Sequence, residues 1–332
     1  MINELVQKLL AARSVVLSTH RNCDGDGIGA QLALLHGLKK LGKSVRILNV
    51  DLPAKKYQFL KTEKWIQAYD RTHDELQPTD LALILDTNDW RLVEPLFGEL
   101  RKKCGEVLFI DHHPILKTGP EPTAGSWIDV DAASTGELCY RLLKALFTER
   151  NLEFDSEISR ALYTSIVFDT QLFRYVRSAP NSHLIAADLL KFERHPEEVH
   201  HHLFATYTVE KMVFLTRALA GIEYRAEGKL AFIRLDREAL RGLQPDDSAD
   251  VIDMVMNIES IEIAALLRED GPGEFKLSLR SKGRVPVLPV AESFGGGGHR
   301  NAAGAYIKNA GDFGILREEL LTALEKSLRT HE

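Results

Sequence analysis

The apolar positions of this chain fall into two rhythms, short unbroken runs and helical stripes. Leu5, Leu9 and Leu10 share one stripe, so residues 2–12 read as an amphipathic helix. Val15-Val16-Leu17 is a short apolar run and reads as a buried strand over 14–19. A helix over about 27–41 follows, and Gly42 is placed to end it. Residues 44–50 form a second strand, followed by a loop with Pro53 and a short helix near 57–60. Asp80-Leu81-Ala82-Leu83-Ile84-Leu85-Asp86 is a third strand, apolar enough to be covered on both faces. A helix near 94–103 leads to a fourth buried strand over 106–110. This β–α alternation predicts an α/β fold with a doubly wound parallel sheet.

Beyond it, a helix opens near Ser134 and runs to about residue 146. Another spans roughly 156–168, with Ile158, Ala161, Leu162 and Ile166 inward. Residues 181–224 read as helical, and their expected job is to join two lobes. A smaller α/β region has strands at 229–234, 261–268 and 275–280, the last two joined by Gly271-Pro272-Gly273 as a hairpin. Helices are expected at 250–258, 287–294 and near 313–328, with a glycine-rich loop, Gly295-Gly296-Gly297-Gly298, and a strand before the last. The expected organisation is a first domain over 1–185, a helical linker over 186–224 and a smaller C-terminal domain over 225–332.

Composition narrows the class. With 44% hydrophobic and 27% charged residues the chain is an ordinary globular one. A net charge of −6 argues against a generally basic nucleic-acid coat but allows a local basic groove. Cys23, Cys104 and Cys139 form no CxxC pair and suit a reducing cytoplasm. The start, Met1-Ile2-Asn3-Glu4-Leu5, does not read as a signal peptide, and no apolar run reaches membrane-spanning length. A cytoplasmic protein without a membrane partner is expected.

Chemistry gathers at the strand ends. The first strand runs into His20-Arg21-Asn22-Cys23-Asp24-Gly25-Asp26, the third ends at Asp86, and the fourth ends in Asp111-His112-His113. In an open α/β sheet these loops converge on one edge. A solitary strand-terminal Asp is more often a cap or turn residue. Capping does not call for adjacent histidines after a buried strand, so the set reads as a site for divalent ions. Asp169 closes a helix, where a carboxylate opposes the dipole, and a cation partner would relieve that cost. Ser134 with Glu137 fits a capping box, and the same helix start could also hold a phosphate. His200-His201-His202 is not read as a second metal site, because consecutive helical residues diverge. In the C-terminal region, Lys276, Arg280, Lys282, Arg284, Arg300 and Lys308 face only Glu292 between 275 and 308, and the glycines allow close backbone approach. That island predicts an anionic ligand.

His20-x-x-x-Asp24-x-Asp26, Asp86, Asp111-His112-His113 and Asp169 together resemble the motifs of the DHH phosphoesterase superfamily. The spacing resembles in particular its NrnA-like group of nanoRNases and 3′-phosphoadenosine-5′-phosphate (pAp) phosphatases. Phe294 to Gly304, with the four glycines, His299 and Arg300, is similar to the glycine-rich motif of the DHH-associated C-terminal domain. One position departs from the pattern: Cys23 stands where that group usually has Pro. It could ligate a metal as thiolate or simply pack, and packing is favoured.

The resemblance implies two divalent ions, Mn²⁺ first, with Mg²⁺ or Co²⁺ as alternatives. It implies His20, Asp24 and Asp86 around one ion and Asp26, Asp86, His112 and Asp169 around the other, with Asp86 bridging. His113 would contact the scissile phosphate, and Asp111 would orient the histidines. Arg280, Ser281, Gly296, Gly297, Gly298, His299 and Ser134 would hold substrate in a cleft between two lobes. The implied function is two-metal hydroxide attack that cleaves very short RNA to nucleoside 5′-monophosphates and pAp to AMP. The sequence allows a homodimer without fixing the oligomeric state. Alternatives are a cyclic or linear dinucleotide phosphodiesterase, a pyrophosphatase or exopolyphosphatase, and a non-catalytic nucleotide-binding regulator.

Overall fold

The computed structural model describes residues 2–69, 76–115, 119–176, 180–240, 247–308 and 312–331, and only the backbone of Asp247, Ala249 and His299. It divides into two compact units, Met1–Thr206 and Tyr207–Glu332.

The first unit is built on six parallel strands: β1 (Ser14–Thr19), β2 (Ser44–Asn49), β3 (Ile66–Ala68), β4 (Thr79–Leu85), β5 (Cys104–Asp111) and β6 (Trp127–Ile128). Their order is β3-β2-β1-β4-β5-β6, so the winding reverses between β1 and β4. The short edge strands β3 and β6 are not legible in the sequence, since two or three residues establish no period. Side chains alternate across the sheet as strand geometry requires. Leu17, Leu83 and Ile110 join one core with the helices Ile2–Ala11, Gly25–Lys40, Thr135–Arg150 and Ser156–Asp169. Val16, Ile84 and Phe109 join the opposite core, under the helix Leu96–Lys103. Both faces are therefore covered, which explains the unbroken apolar runs.

Helices Gly25–Lys40 and Ser156–Asp169 pack unusually closely. A Cβ at Gly29 would lie 2.4 Å from the Ala161 carbonyl oxygen, so only glycine permits the approach. Within the stretch 181–224, helices Asn181–Leu189 and Pro196–Phe204 bury Ile185, Leu189, Val199 and Leu203 in the first unit's core. Helix Val209–Ala220 instead buries Phe214, Leu215 and Ala218 in the second. The three histidines diverge: His200 Nε2 lies 3.0 Å from the Tyr163 hydroxyl, while His202 stacks on Phe59.

The second unit carries β7 (Glu223–Arg225), β8 (Leu230–Leu235), β9 (Ile263–Gly271), β10 (Glu274–Ser281), β11 (Gly297–His299) and β12 (Ala302–Ile307), ordered β11-β12-β10-β9-β8-β7. β8 and β9 are parallel and the other pairs antiparallel. Helices Leu288–Ser293 and Phe313–His331 cover one face, and Val209–Ala220 and Asp247–Met256 the other. The glycine run does more than turn the chain. Gly297 and Gly298 pair with Gly304 and Ala303, and a Cβ on Gly296 would lie 2.1 Å from the Gly304 oxygen.

Candidate metal centre

The reversal of winding between β1 and β4 opens a crevice at the carboxyl ends of the strands, and the acidic and histidine side chains collect there. After β1 the chain passes through His20 to Asp24, which caps the next helix by accepting from Asp26 N at 2.9 Å. Asp86 follows β4 in the left-handed region, at φ 63°, an uncommon conformation for a non-glycine residue. Strain of this kind is kept where the surroundings dictate the side-chain direction. Asp111 ends β5, and Asp169 ends the helix Ser156–Asp169.

Among the described residues, three groups each bring their donor atoms within 4.8 Å of one another: His20, Asp24 and Asp86; Asp26, His112 and Asp169; and Asp86, Asp111, His112 and His113. Asp86 belongs to two of them. Its Oδ2 lies 3.5 Å from His20 Nε2, and its Oδ1 lies 3.7 Å from His112 Nε2. His112 Nε2 also lies 3.5 Å from Asp26 Oδ2 and 3.4 Å from Asp169 Oδ2.

The other ring nitrogens fix the tautomers. His20 Nδ1 is 2.8 Å from the Arg21 carbonyl and His112 Nδ1 is 3.3 Å from the Ala132 carbonyl. A carbonyl only accepts, so Nδ1 carries the proton in both, and Nε2 is the lone-pair nitrogen aimed at the carboxylates. His113 differs. Its Nδ1 donates to Asp111 Oδ1 at 2.9 Å, and its side chain is 51% exposed.

The cluster gathers buried negative charge that a cation would balance. Burial, then the Asp169 carboxylate, push Asp26 up to about 8. Burial and the neighbouring Asp26 raise Asp86 well above the carboxylate range. Buried like charges disfavour ionisation unless a cation joins them. Oxygen-rich sets with imidazole nitrogen suit divalent ions such as Mn²⁺ or Mg²⁺, so the residues present fit a dinuclear site. The hydrogen bond to Asp111 raises His113. Burial pushes the Cys23 thiol up to about 12, and the residue packs in the core.

Several supporting residues have only faint sequence signals. Asp26 accepts from the backbone N–H of Thr135 at 2.7 Å and of Gly136 at 3.1 Å, and from the Ser165 hydroxyl. Thr135 Oγ1 donates to Asp86 Oδ1 at 3.1 Å. Ser165 stands one helical turn before Asp169, a spacing that could have revealed it. Ser134 is fully buried and its hydroxyl accepts from Glu137 N at 3.2 Å. At this helix start the Thr135 and Gly136 amides hold the Asp26 carboxylate, while the Ser134 hydroxyl caps the helix.

In the second unit, Arg280 and Gly296 line a cavity of about 460 Å³ together with Lys276, Ser278 and Tyr306. Ser281 Oγ lies 3.4 Å from Asn301 Oδ1. The side chain of His299 lies outside the described residues.

Comparison with known proteins follows the same division. Residues 14–166 match the DHH family N-terminal domain, and residues 233–329 match the DHHA1 domain. The bifunctional oligoribonuclease and PAP phosphatase NrnA of Thermus thermophilus is 29% identical, covering 95% of this chain and 90% of that protein. A probable enzyme of the same name from Streptococcus mutans is 24% identical, over 91% and 92%. Among solved structures, an exopolyphosphatase-related protein of Bacteroides fragilis superposes with a TM-score of 0.83 at 24% identity, covering 99% of this chain and 95% of that one. Exonuclease RecJ bound to manganese gives 0.55 at 17%, covering 98% and 92%. The chain therefore carries a DHH family N-terminal domain over most of its first unit and a DHHA1 domain over most of its second.

Proposed function

We propose that this chain is a metal-dependent phosphoesterase that hydrolyses very short RNA oligonucleotides to nucleoside 5′-monophosphates, and pAp to AMP. One observation carries the reading: Asp86 turns its two oxygens toward two separate groups of donors, the geometry of a bridging carboxylate. The relatives named as oligoribonuclease and PAP phosphatase, aligned over most of both chains, supply the substrate class.

In this reading His20, Asp24 and Asp86 hold one ion, and Asp26, Asp86, His112 and Asp169 the other, with Mn²⁺ preferred. Such a pair of ions lowers the pKa of water and neutralises charge on the attacking and leaving oxygens. The protein supplies orientation. Thr135, Gly136 and Ser165 fix Asp26 through three hydrogen bonds, so the carboxylate need not reorganise on loading. Asp111 occupies Nδ1 of His113 and favours the protonated ring, leaving Nε2–H to donate to a phosphoryl or leaving oxygen. Arg280, Ser281, Gly296, Gly297, Gly298 and His299 form the substrate grip of the second unit, where the cationic Lys276 and Arg280 suit a phosphate and Tyr306 suits a base. Action in the cytoplasm as a homodimer completes the proposal. Among the described residues no helix is long and apolar enough to cross a membrane.

A panel of labelled RNAs from two to ten nucleotides, with pAp, cyclic dinucleotides and pyrophosphate, tests this with Mn²⁺ present. Turnover concentrated on the shortest RNAs and pAp is expected. Hydrolysis of pyrophosphate with dinucleotides left intact would overturn it.

A further inference from the structure

Asn88 sits two residues past Asp86 and is buried, yet none of the motifs singled out in the sequence uses it. Its Nδ2 donates to Asp111 Oδ2 at 2.6 Å and to the backbone carbonyl of His113 at 2.9 Å. Asp111, fully buried, accepts the His112 backbone N–H at 2.8 Å and His113 Nδ1 at 2.9 Å on its other oxygen. One amide thus grips His113 twice, directly at the carbonyl and indirectly through the carboxylate that holds its ring.

We propose that Asn88 is a positioning residue for His113, fixing both the tautomer and the direction of its imidazole. Residue chemistry supports this. A primary amide offers two hydrogens on one nitrogen, which matches two acceptors in different directions. A serine could serve one of them, and an aspartate would set a third negative oxygen against Asp111. With Oδ2 held by Asn88, Oδ1 is left to face the ring, and a ring nitrogen facing a carboxylate carries the proton. Nε2 is then the nitrogen turned toward chemistry. A half-exposed histidine without this grip would sample several rotamers. The inference rests on the catalytic role proposed for His113, and its test separates the two.

Asn88→Ala and Asn88→Ser are compared with the parent in two measurements. The first is ¹⁵N NMR of histidine-labelled, metal-free protein at a pH where the His113 ring is neutral. A single Nδ1–H form is expected in the parent, and a shift toward Nε2–H in the variants. This readout needs no substrate, so it stands even where the proposed activity fails. The second is steady-state kinetics with the metals bound, in the parent and in a His113→Ala background. A fall of about tenfold to a hundredfold in kcat, with KM and Mn²⁺ affinity unchanged, is expected for Asn88→Ala. In the His113→Ala background the same change should cost nothing further. The serine variant keeps one donor and serves where alanine does not fold. An unchanged imidazole pattern, or a loss that persists without His113, overturns the proposal. So does a parallel loss of Mn²⁺ affinity, which would place Asn88 with the metals instead.

Discussion

The backbone N–H of Thr135 donates to Asp26 Oδ2 at 2.7 Å, across 109 residues of sequence. The positive end of the helix Thr135–Arg150 is thereby directed at a carboxylate of the first unit's acidic cluster. Ser165 completes the hold from a second helix. Removing that hydroxyl by Ser165→Ala should weaken Mn²⁺ binding by roughly tenfold while leaving the fold intact. Titration calorimetry checks this, and unchanged affinity would remove Ser165 from the site.

Asp86→Ala should abolish turnover and lower the Mn²⁺ stoichiometry, because both donor groups lose an oxygen. Metal analysis after gel filtration reads the stoichiometry, and circular dichroism confirms folding. Two ions retained at full affinity would refute the bridging role.

The acidic cluster also predicts a pH dependence. Asp26 keeps its proton in the folded chain up to about 8, whereas the unfolded chain releases it near the ordinary carboxylate value of 3.8. Between those values the folded state binds more protons, so metal-free stability falls as pH rises through that range. Asp86 adds to the same trend. Bound cations favour the ionised carboxylates and should flatten the slope. Thermal melts from pH 5 to 8.5, with chelator and with Mn²⁺, compare the two; identical slopes would contradict this account.

Arg280→Ala should raise KM for a dinucleotide by about tenfold or more, the worth of a hydrogen bond to a charged group, with kcat little changed. Lys276→Ala, in the same cavity, should act in the same direction. Initial-rate kinetics decide it, and a kcat effect at constant KM would remove the second unit from the proposed grip.

Gly29→Ala tests the helix contact that carries Asp169. The added Cβ meets the Ala161 carbonyl oxygen, so a loss of about 1–3 kcal/mol is expected in denaturant unfolding. Unchanged stability would mean that the helices separate at no cost.

Much of this was legible because burial leaves a strong trace. Strands β1, β4 and β5 are covered on both faces, and their apolar runs mark where each ends and which residue comes next. His20, Asp86 and Asp111 are those next residues or their near neighbours, so the sequence itself marks the crevice. The supports were not legible. Thr135 and Gly136 hold Asp26 through backbone N–H groups, which no residue type advertises. Asn88 acts through a partner 23 positions away, a distance that only the sheet register defines. Ser134 shows the converse: its capping signature was sound, but what lies in front of the helix was invisible until Asp26 arrived there.

The close packing of Gly25–Lys40 against Ser156–Asp169 has a consequence for assembly. The donors range from His20, just after the first strand, to Asp169, after all six strands of the first unit and several helices. They meet only once the helix Ser156–Asp169 has packed against Gly25–Lys40. A metal centre at this place would act as a clasp that fastens only when the helix Ser156–Asp169 docks, and an ion held there would add its binding free energy to that docked state alone. Metal supply would then govern how long the finished unit survives, quite apart from whether a phosphate is ever cut.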